Sequence, residues 1–235
     1  MTLSPDQVDT AQQEFEWLAH ITRNPLAEPR MLVCQYHEPA VILGCSQRPD
    51  DAMQMRAAAL GFALIRRRAG GGAVLAGASM LSLSLALPAN HPLAMLGALA
   101  LYQWVGEQWQ RALVNAGVGV ALANETQIAR SKQYAEAHDL AWSCFGALGH
   151  GELISERARK LVGVAQIRTR HAVTLVTGLH CAPPDWTRLC EIVRNDPQQA
   201  PLLRVINDDL HSLGVDPASV IESCTHELSQ CVSAA

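Results

Sequence analysis

Two groups of residues in this sequence could act on an acyl or anionic substrate, and the first is the segment RRRAGGGAVLAG. Arg66, Arg67 and Arg68 stand one residue before three consecutive glycines. Guanidinium groups bind carboxylates and phosphates, and glycine lets a ligand approach the backbone closely. No GK[ST] follows and no GxGxxG is formed, so the segment is neither a Walker loop nor a dinucleotide fingerprint. It predicts an anion-binding turn between two strands, with a solvated hairpin as the open alternative.

The second group lies in SCFGALGHGELISERARKLVGVAQ, residues 143–166, which contains Cys144 and Lys160. A cysteine thiolate attacks acyl groups, and a nearby cation favours the thiolate. A lysine can orient an acyl carbonyl or stabilise the oxyanion that forms on attack. A single cysteine in a strand is more often structural, so these two residues alone leave catalysis and packing both open.

Composition limits the classes of protein that remain. The chain has 235 residues, 49% of them hydrophobic and 17% charged, which indicates one globular domain. A net charge of -4 argues against a general nucleic-acid-binding surface. Seven cysteines without a CxxC pair predict neither a disulfide framework nor a metal site. With no signal-peptide pattern and no apolar run long enough for a bilayer, we expect a cytoplasmic protein that does not bind membranes.

The elements that must position these residues begin with an amphipathic pattern. Apolar spacing of three and four predicts a helix over residues 5–22, with Ser4 as its N-cap. Residues 31–36 and 40–46 are rich in β-branched and apolar side chains and predict a pair of strands. Residues 49–61 open with Pro-Asp-Asp and close on glycine, which is typical of a short helix.

Beyond that helix, strands predominate up to about residue 180. Residues 62–67 predict a strand that enters the glycine segment, and the alternation in 80–87 predicts a half-buried strand. Residues 92–116 form the strongest helix prediction. Further strands are predicted at 141–146, 151–155, 160–169 and 172–180. The clustering of strands favours an α+β fold with a mixed, largely antiparallel sheet, in one domain over residues 1–235 with a helical tail from about residue 185.

Three segments, AVILGCSQRPD, RRRAGGGAV and RKLVGVAQ, follow one another in an order and at intervals that resemble the lipoate-protein ligase and octanoyltransferase family. The resemblance covers about residue 10 to about residue 185 and implies a fold like the catalytic domain of biotin/lipoate-protein ligases. The dipeptide CF, followed by GEL and then RKLVGVAQ, is most similar to the cysteine-dependent octanoyltransferases. The resemblance therefore implies an acyltransferase.

Roles for individual residues also come from this resemblance. Cys144 matches the cysteine that receives the acyl chain, and Lys160 matches the lysine at the acyl carbonyl. The matching positions that would line the acyl pocket are Arg67, Gly70, Gly71, Gly72, Gln47, Gly163 and Gln166. The implied reaction moves octanoyl from an acyl carrier protein thioester to Cys144, and then to a lysine of a lipoyl domain or the glycine-cleavage H protein. It requires no cofactor.

Because the sequence departs from the family pattern at four positions, other interpretations of its function stay open. Ala76 and Thr177 stand where the family usually has histidine, Ala158 replaces the glycine of GRK, and Val164 replaces the serine of GSAQ. An ATP-dependent lipoate-protein ligase would use free lipoate, ATP and Mg²⁺, with Lys160 at the lipoyl-adenylate. A non-catalytic homologue would bind a lipoyl or acyl group without turnover, and an unfamiliar acyl group, such as a different carboxylate, is the remaining alternative.

Overall fold

A computed structural model describes residues 3–233 and assigns ten strands and seven α-helices to that part of the chain. In chain order the elements are β1 (Asp6–Val8), α1 (Ala11–Arg23), β2 (Arg30–Gln35), β3 (Ala40–Leu43), α2 (Asp51–Ala59), β4 (Ala63–Arg66), β5 (Val74–Ala76), β6 (Met80–Pro88), α3 (Ala98–Asn115), β7 (Val120–Leu122), α4 (Glu125–Ala137), β8 (Leu153–Ser155), β9 (Lys160–Arg168), β10 (Ala172–His180), α5 (Trp186–Arg194), α6 (Ala200–Ile206) and α7 (Pro217–Ser233).

The larger sheet has seven strands in the order β1-β2-β6-β10-β9-β8-β7. Only β1 and β2 pair in parallel, and the other neighbours are antiparallel. All nine residues of β6 are buried, so the prediction of a half-buried strand is wrong. The leucines of β6 pack with α3 and α7 on one face, while Ser82 on the other face bonds to α1. Helices therefore cover both faces, and the serines are buried as well as the leucines.

The smaller sheet has the order β4-β3-β5, with β3 and β4 parallel and β3 and β5 antiparallel. The predicted pairing of residues 31–36 with 40–46 is wrong, because β2 pairs with β1 and β6 whereas β3 belongs to this smaller sheet. His37–Pro39 crosses from one sheet to the other instead of closing a hairpin. The two sheets together confirm the mixed, largely antiparallel α+β fold.

The first helix begins later than its apolar spacing predicts. Asp6–Val8 form β1 instead, beside β2, and α1 starts after Thr10. The Thr10 hydroxyl accepts the N–H of Gln13, and the Gln13 side chain accepts the N–H of Thr10. This capping box satisfies amide groups that the start of a helix leaves free, so it fixes the boundary. The predicted N-cap at Ser4 is therefore wrong.

The predicted helix over 92–116 is interrupted. Pro92–Met95 form a 3-10 turn, Leu96 and Gly97 are extended, and α3 begins at Ala98. Farther along, β7 and α4 were not predicted from the sequence, although Asn124 and Gln127 form a second capping box at the start of α4. All the regular elements described after β10 are helices, and the last of them, α7, packs against α3. Among the described helices, none is both long and apolar enough to cross a membrane.

Candidate functional site

A largely apolar pocket lies between α1, the glycine segment and the face of the larger sheet. Side chains from α1 and the smaller sheet form one side of it, and β9 and β10 form the other. Among the residues that line it are Phe15, Leu18, Ile42, Ile65, Val74, Ala165, Ile167 and Val176. Arg67, Cys144 and Gly163 belong to the same lining, so the pocket joins an apolar interior to the predicted nucleophile. Within residues 3–233, Lys160 and the glycines at 70–72 are not part of this lining.

Cys144 lies in a turn and not in the strand predicted over 141–146. Its N–H donates to the carbonyl of Ala73 at 2.8 Å, and the N–H of Ala73 donates to the carbonyl of Trp142 at 2.7 Å. Only Ser143 makes a strand-like bridge, with Ala73. The prediction of a strand is wrong because these bonds tie the turn to the end of the glycine segment. They leave the partly exposed Cys144 side chain on the pocket wall.

Arg67 connects the glycine segment to Cys144. Its Nη2 donates to the carbonyls of Gly70 and Gly72 at 3.0 and 3.1 Å, and lies 3.7 Å from the Cys144 Sγ. Gly71 has a φ of 93°, and a Cβ there would lie 2.8 Å from the Arg67 Nη2. A Cβ on Gly72 would lie 2.4 Å from the Trp142 carbonyl oxygen. These two glycines therefore permit the close approach that brings a guanidinium to the thiol.

Gln47 supports this arrangement from the side of the smaller sheet. Its Oε1 accepts the N–H of Gly44 at 2.9 Å, and its Nε2 donates to the Trp142 carbonyl at 2.9 Å. The side chain thus joins the loop after β3 to the Cys144 turn. Its amide is occupied by backbone partners, and within residues 3–233 it is not part of the pocket lining.

Lys160 holds the Cys144 turn through its ammonium group. The Nζ donates to the carbonyls of Cys144 and Ala147 at 2.7 and 2.9 Å, and pairs with the Glu152 Oε2 at 2.6 Å. The side chains of Lys160 and Glu152 are 4% and 6% exposed, so this ion pair is removed from water. An ammonium has three protons, and all three have protein acceptors here. Contact with an acyl carbonyl requires the exchange of one of them.

Of the two remaining predicted site residues, the structure brings one to the pocket. Gly163 on β9 lines it, and a Cβ there would meet the Phe145 ring at 3.6 Å. Gln166 is three residues farther along β9, on the opposite face, because side chains alternate along a strand. Its Oε1 accepts from the Arg168 Nε at 2.9 Å. Within the described chain, Gln166 therefore has no place in the lining of this pocket.

Glu14, Tyr36 and Ser82 also line the pocket, and sequence reasoning missed all three. The Tyr36 hydroxyl and the Ser82 hydroxyl each donate to the Glu14 carboxylate at 2.5 Å. Burial raises the pKa of Glu14, and the two hydroxyls and the charge of Arg67 oppose that rise. A signal was present, since Glu14 lies three residues after Ala11 and four before Leu18, on the apolar stripe of α1.

Three of the four positions that depart from the family pattern have distinct local surroundings, and nothing in the structure explains Val164. Ala76 is fully buried in β5. The Thr177 hydroxyl donates to the Leu83 carbonyl at 2.7 Å, so it has a hydrogen-bond partner within the sheet. Ala158 has a φ of 57°, in the region that glycine adopts most readily.

His180 is buried beside Phe145, and burial lowers its pKa to about 3. It is neutral near pH 7.

A second, wider cavity of about 580 Å³ lies on the other side of Phe145. Its lining includes Arg130, Arg157, Arg159 and Lys160, and Phe145 belongs to the linings of both cavities. Arg157 and Arg159 approach the buried Asp208 at 3.5 and 3.6 Å. The cavity is therefore basic, with two of its arginines held by one carboxylate. In residues 3–233, no group of three or more histidine, cysteine, aspartate or glutamate side chains is placed to hold a metal ion.

Comparison with solved structures supports the fold. A lipoate-protein ligase A bound with ATP has a TM-score of 0.74 and 15% identity, with 98% of this chain and 85% of that chain covered. A bipartite lipoate-protein ligase from Thermoplasma acidophilum, described with its E2 lipoyl domain, has a TM-score of 0.72 and 15% identity, with 97% and 82% covered. A Thermoplasma acidophilum protein with bound lipoic acid has a TM-score of 0.72 and 13% identity, with 98% and 85% covered.

Sequence comparison identifies the family. No match was found among curated protein sequences. Residues 10–213, however, match the lipoyl protein ligase A/B catalytic domain. That range contains the glycine segment, the Cys144 turn and the Lys160–Glu152 pair, together with the first two helices of the tail. The chain belongs to the lipoyl protein ligase A/B catalytic domain family.

Proposed function

We propose that this protein transfers an octanoyl or lipoyl chain from a carrier-protein thioester to a lysine of a lipoyl domain, through a thioester on Cys144. The observation that carries the proposal is the position of the Cys144 thiol on the wall of an apolar pocket, 3.7 Å from the Arg67 guanidinium. The pocket supplies an environment for an alkyl chain, and a cation in contact with a cysteine is a general means of favouring the reactive thiolate. Acyl transfer needs both.

In the first step the Cys144 thiolate attacks the carbonyl carbon of the donor thioester. A new carbon–sulfur bond forms at Cys144, the bond to the carrier's sulfur breaks, and the carrier leaves as a thiolate that takes a proton from solvent. One thioester is exchanged for another, so the step requires neither ATP nor an oxidant. The alkyl chain then fills the pocket between α1 and β9.

In the second step the neutral amine of the acceptor lysine attacks the Cys144 thioester. A carbon–nitrogen bond forms, the bond to Cys144 breaks, and the amine loses a proton while the thiolate is regenerated. The products are an amide and the free enzyme. Division of one difficult transfer into two easier ones is the usual gain of covalent catalysis. Lipoyl domains and the glycine-cleavage H protein are the proposed acceptors.

Arg67 and Lys160 have different proposed parts in this reaction. Arg67 faces the thiol directly and also orders the glycine segment through the carbonyls of Gly70 and Gly72. Lys160 holds the Cys144 and Ala147 carbonyls, so it fixes the turn that carries the nucleophile. In this role Lys160 is a positioning residue. Its proposed contact with the acyl carbonyl would replace one of these bonds when substrate is bound.

The test is to incubate the protein with octanoyl-carrier protein without ATP and to measure its intact mass. We expect an octanoyl adduct that hydroxylamine removes and that Cys144→Ala abolishes. Cys45→Ala is the matched control, since Cys45 is a free, exposed cysteine outside the pocket lining. An adduct that persists in Cys144→Ala, or transfer to a lipoyl domain by that variant, would overturn the assignment of the nucleophile.

A second candidate function, ATP-dependent lipoate ligation, has its own supporting observation. The cavity lined by Arg130, Arg157, Arg159 and Lys160 is basic and about 580 Å³ in volume, which suits a polyphosphate. One protein of similar fold is described with ATP and another with lipoic acid. Pyrophosphate release that depends on lipoate, in a sample that forms no octanoyl adduct, would favour the ligase. Tight binding of lipoate without either activity would indicate a non-catalytic homologue.

A further inference from the structure

We infer that Glu14, with Tyr36 and Ser82, selects acyl chains that carry a neutral hydrogen-bond donor, such as a hydroxyl group, on the part of the chain that enters the pocket. This inference rests on the acyl pocket of the proposed function and adds a substrate class to it. Glu14, Tyr36 and Ser82 line the same cavity as Cys144. A chain attached to Cys144 therefore lies in the space that these three side chains reach.

The carboxylate of Glu14 keeps acceptor capacity for a ligand. Glu14 is 4% exposed, and it accepts one bond from the Tyr36 hydroxyl and one from the Ser82 hydroxyl. A carboxylate has about four lone-pair sites. No ion pair to Glu14 is present among the described residues, and the Arg67 guanidinium is turned to Gly70, Gly72 and the thiol. Neutral hydroxyls and the charge of Arg67, which is not hydrogen-bonded to Glu14, compensate this buried acid less than a direct ion pair would.

A neighbouring hydroxyl, that of Ser84, belongs to the same polar environment. Ser84 follows Ser82 on the same face of β6, is fully buried, and its hydroxyl, like those of Tyr36 and Ser82, opposes the rise in the pKa of Glu14. Buried polar groups in proteins are nearly always paired. Within residues 3–233 Ser84 is not part of the pocket lining, so the members of this cluster that a ligand can reach are Glu14, Tyr36 and Ser82. A purely alkyl chain forms no hydrogen bond with these three side chains.

The chemistry of the cluster sets the class of group that is recognised. The hydroxyl protons of Tyr36 and Ser82 already point at Glu14, so the cluster presents acceptors to the ligand. A hydroxyl on the chain can donate to them, whereas an ether oxygen cannot. An ammonium would have to lose its hydration to pass the apolar wall, which is far more costly than the desolvation of a hydroxyl. A neutral donor is therefore the preferred group.

The experiment measures dissociation constants of free acids by calorimetry, so it does not depend on turnover. The probes are octanoate, the positional isomers of hydroxyoctanoate, and their methyl ethers. We expect at least one hydroxy acid to bind about tenfold more tightly than octanoate, because a hydrogen bond to a buried charged or polar group is worth that much. Its methyl ether should lose that advantage. In Glu14→Leu the order should reverse.

Glu16→Gln is the matched control, since Glu16 is exposed on the same helix. If Glu14 only anchors α1 to the sheet, Glu14→Gln and Glu14→Leu will lower the melting temperature but leave the ratio of hydroxy acid to octanoate affinity unchanged, which overturns the inference. If no hydroxy isomer outcompetes octanoate in the wild type, the inference fails while the acyl pocket stands. If none of the acids binds, the acyl pocket itself is refuted.

Discussion

The protein buries two glutamates next to its proposed site, and they are compensated in different ways. Glu152 pairs with the Lys160 ammonium at 2.6 Å and also accepts the N–H groups of Gly149 and Val164. Glu14 is buried to the same extent, 4% exposed for each residue, but its hydrogen-bond donors are the hydroxyls of Tyr36 and Ser82. One carboxylate is hydrogen-bonded to a charged partner, whereas the hydrogen-bond donors of the other are neutral hydroxyls.

This difference separates a structural acid from one that is suited to a ligand. A buried charge is tolerated when a partner charge and several hydrogen bonds replace water, as they do at Glu152. At Glu14 the replacement is incomplete, and burial raises its pKa. Glu152 and Lys160 therefore fix the turn of Cys144, while Glu14 remains able to gain a further bond inside the pocket.

The largest expected effect comes from breaking the ion pair between Lys160 and Glu152. Lys160→Met removes the cation and leaves the Glu152 carboxylate buried without a partner charge. We expect this to lower the free energy of unfolding by about 3–5 kcal/mol, because desolvation of the remaining charge is no longer compensated. Urea denaturation followed by circular dichroism measures the change.

The control for that prediction is the double variant Glu152→Leu/Lys160→Met, which removes both charges. It should recover much of the lost stability, since an apolar pair has no charge to desolvate. Transfer activity should stay low in both variants, because the Cys144 and Ala147 carbonyls lose their shared donor. A loss of less than 1 kcal/mol in Lys160→Met, on the scale expected for an exposed pair, would show that this pair is not removed from water.

Glu14, which has no ion-pair partner among residues 3–233, should affect the pH dependence of stability. The pKa of Glu14 is raised from its usual value of 4.5, so the folded state keeps a proton that the unfolded state releases. Its stabilising contribution is complete below pH 4.5 and is lost as the pH rises through the folded pKa, by at most about 1.4 kcal/mol per pH unit. Glu14→Gln should remove this decline.

Denaturation of wild type and Glu14→Gln across a pH series measures the difference, with Glu16→Gln as the exposed control. The wild type should lose stability relative to Glu14→Gln as the pH rises above 4.5. Parallel curves for the two proteins would mean that Glu14 ionises in the folded state as it does in water, and the contrast with Glu152 would then disappear.

Sequence patterns predicted the strands that carry strong apolar runs, and they failed where tertiary contacts decide. The strands over 160–169 and 172–180 are the observed β9 and β10, within one residue. The segment 141–146 has the composition of a strand, but its backbone bonds go to Ala73 across the glycine segment. Such a partner, distant in sequence, is not encoded in local composition.

The candidate site divides in the same way. Motif order brought together Arg67, the glycines and Cys144, which the structure places in contact. It did not separate Gly163 from Gln166, although the alternation of β9 sends their side chains to opposite faces. Glu14 was missed because an acid on an apolar stripe can be recognised as a site only when its neighbours are known, and these are Tyr36, just after β2, and Ser82, on β6.

The smallest expected effect is at an ion pair that water already solvates. Arg188 and Glu191 pair at 2.8 Å on α5, with side chains 44% and 36% exposed. Glu191→Gln should change the free energy of unfolding by about 0.5 kcal/mol or less, because solvent screens the charges and ordering two long side chains opposes the attraction. The distance between the charged nitrogen and oxygen resembles that between Lys160 and Glu152, so distance cannot account for a difference in the stability lost. Urea denaturation of Glu191→Gln and of Lys160→Met compares the stability that depends on an exposed and on a buried ion pair. Equal losses of unfolding free energy in the two variants would contradict a role for burial.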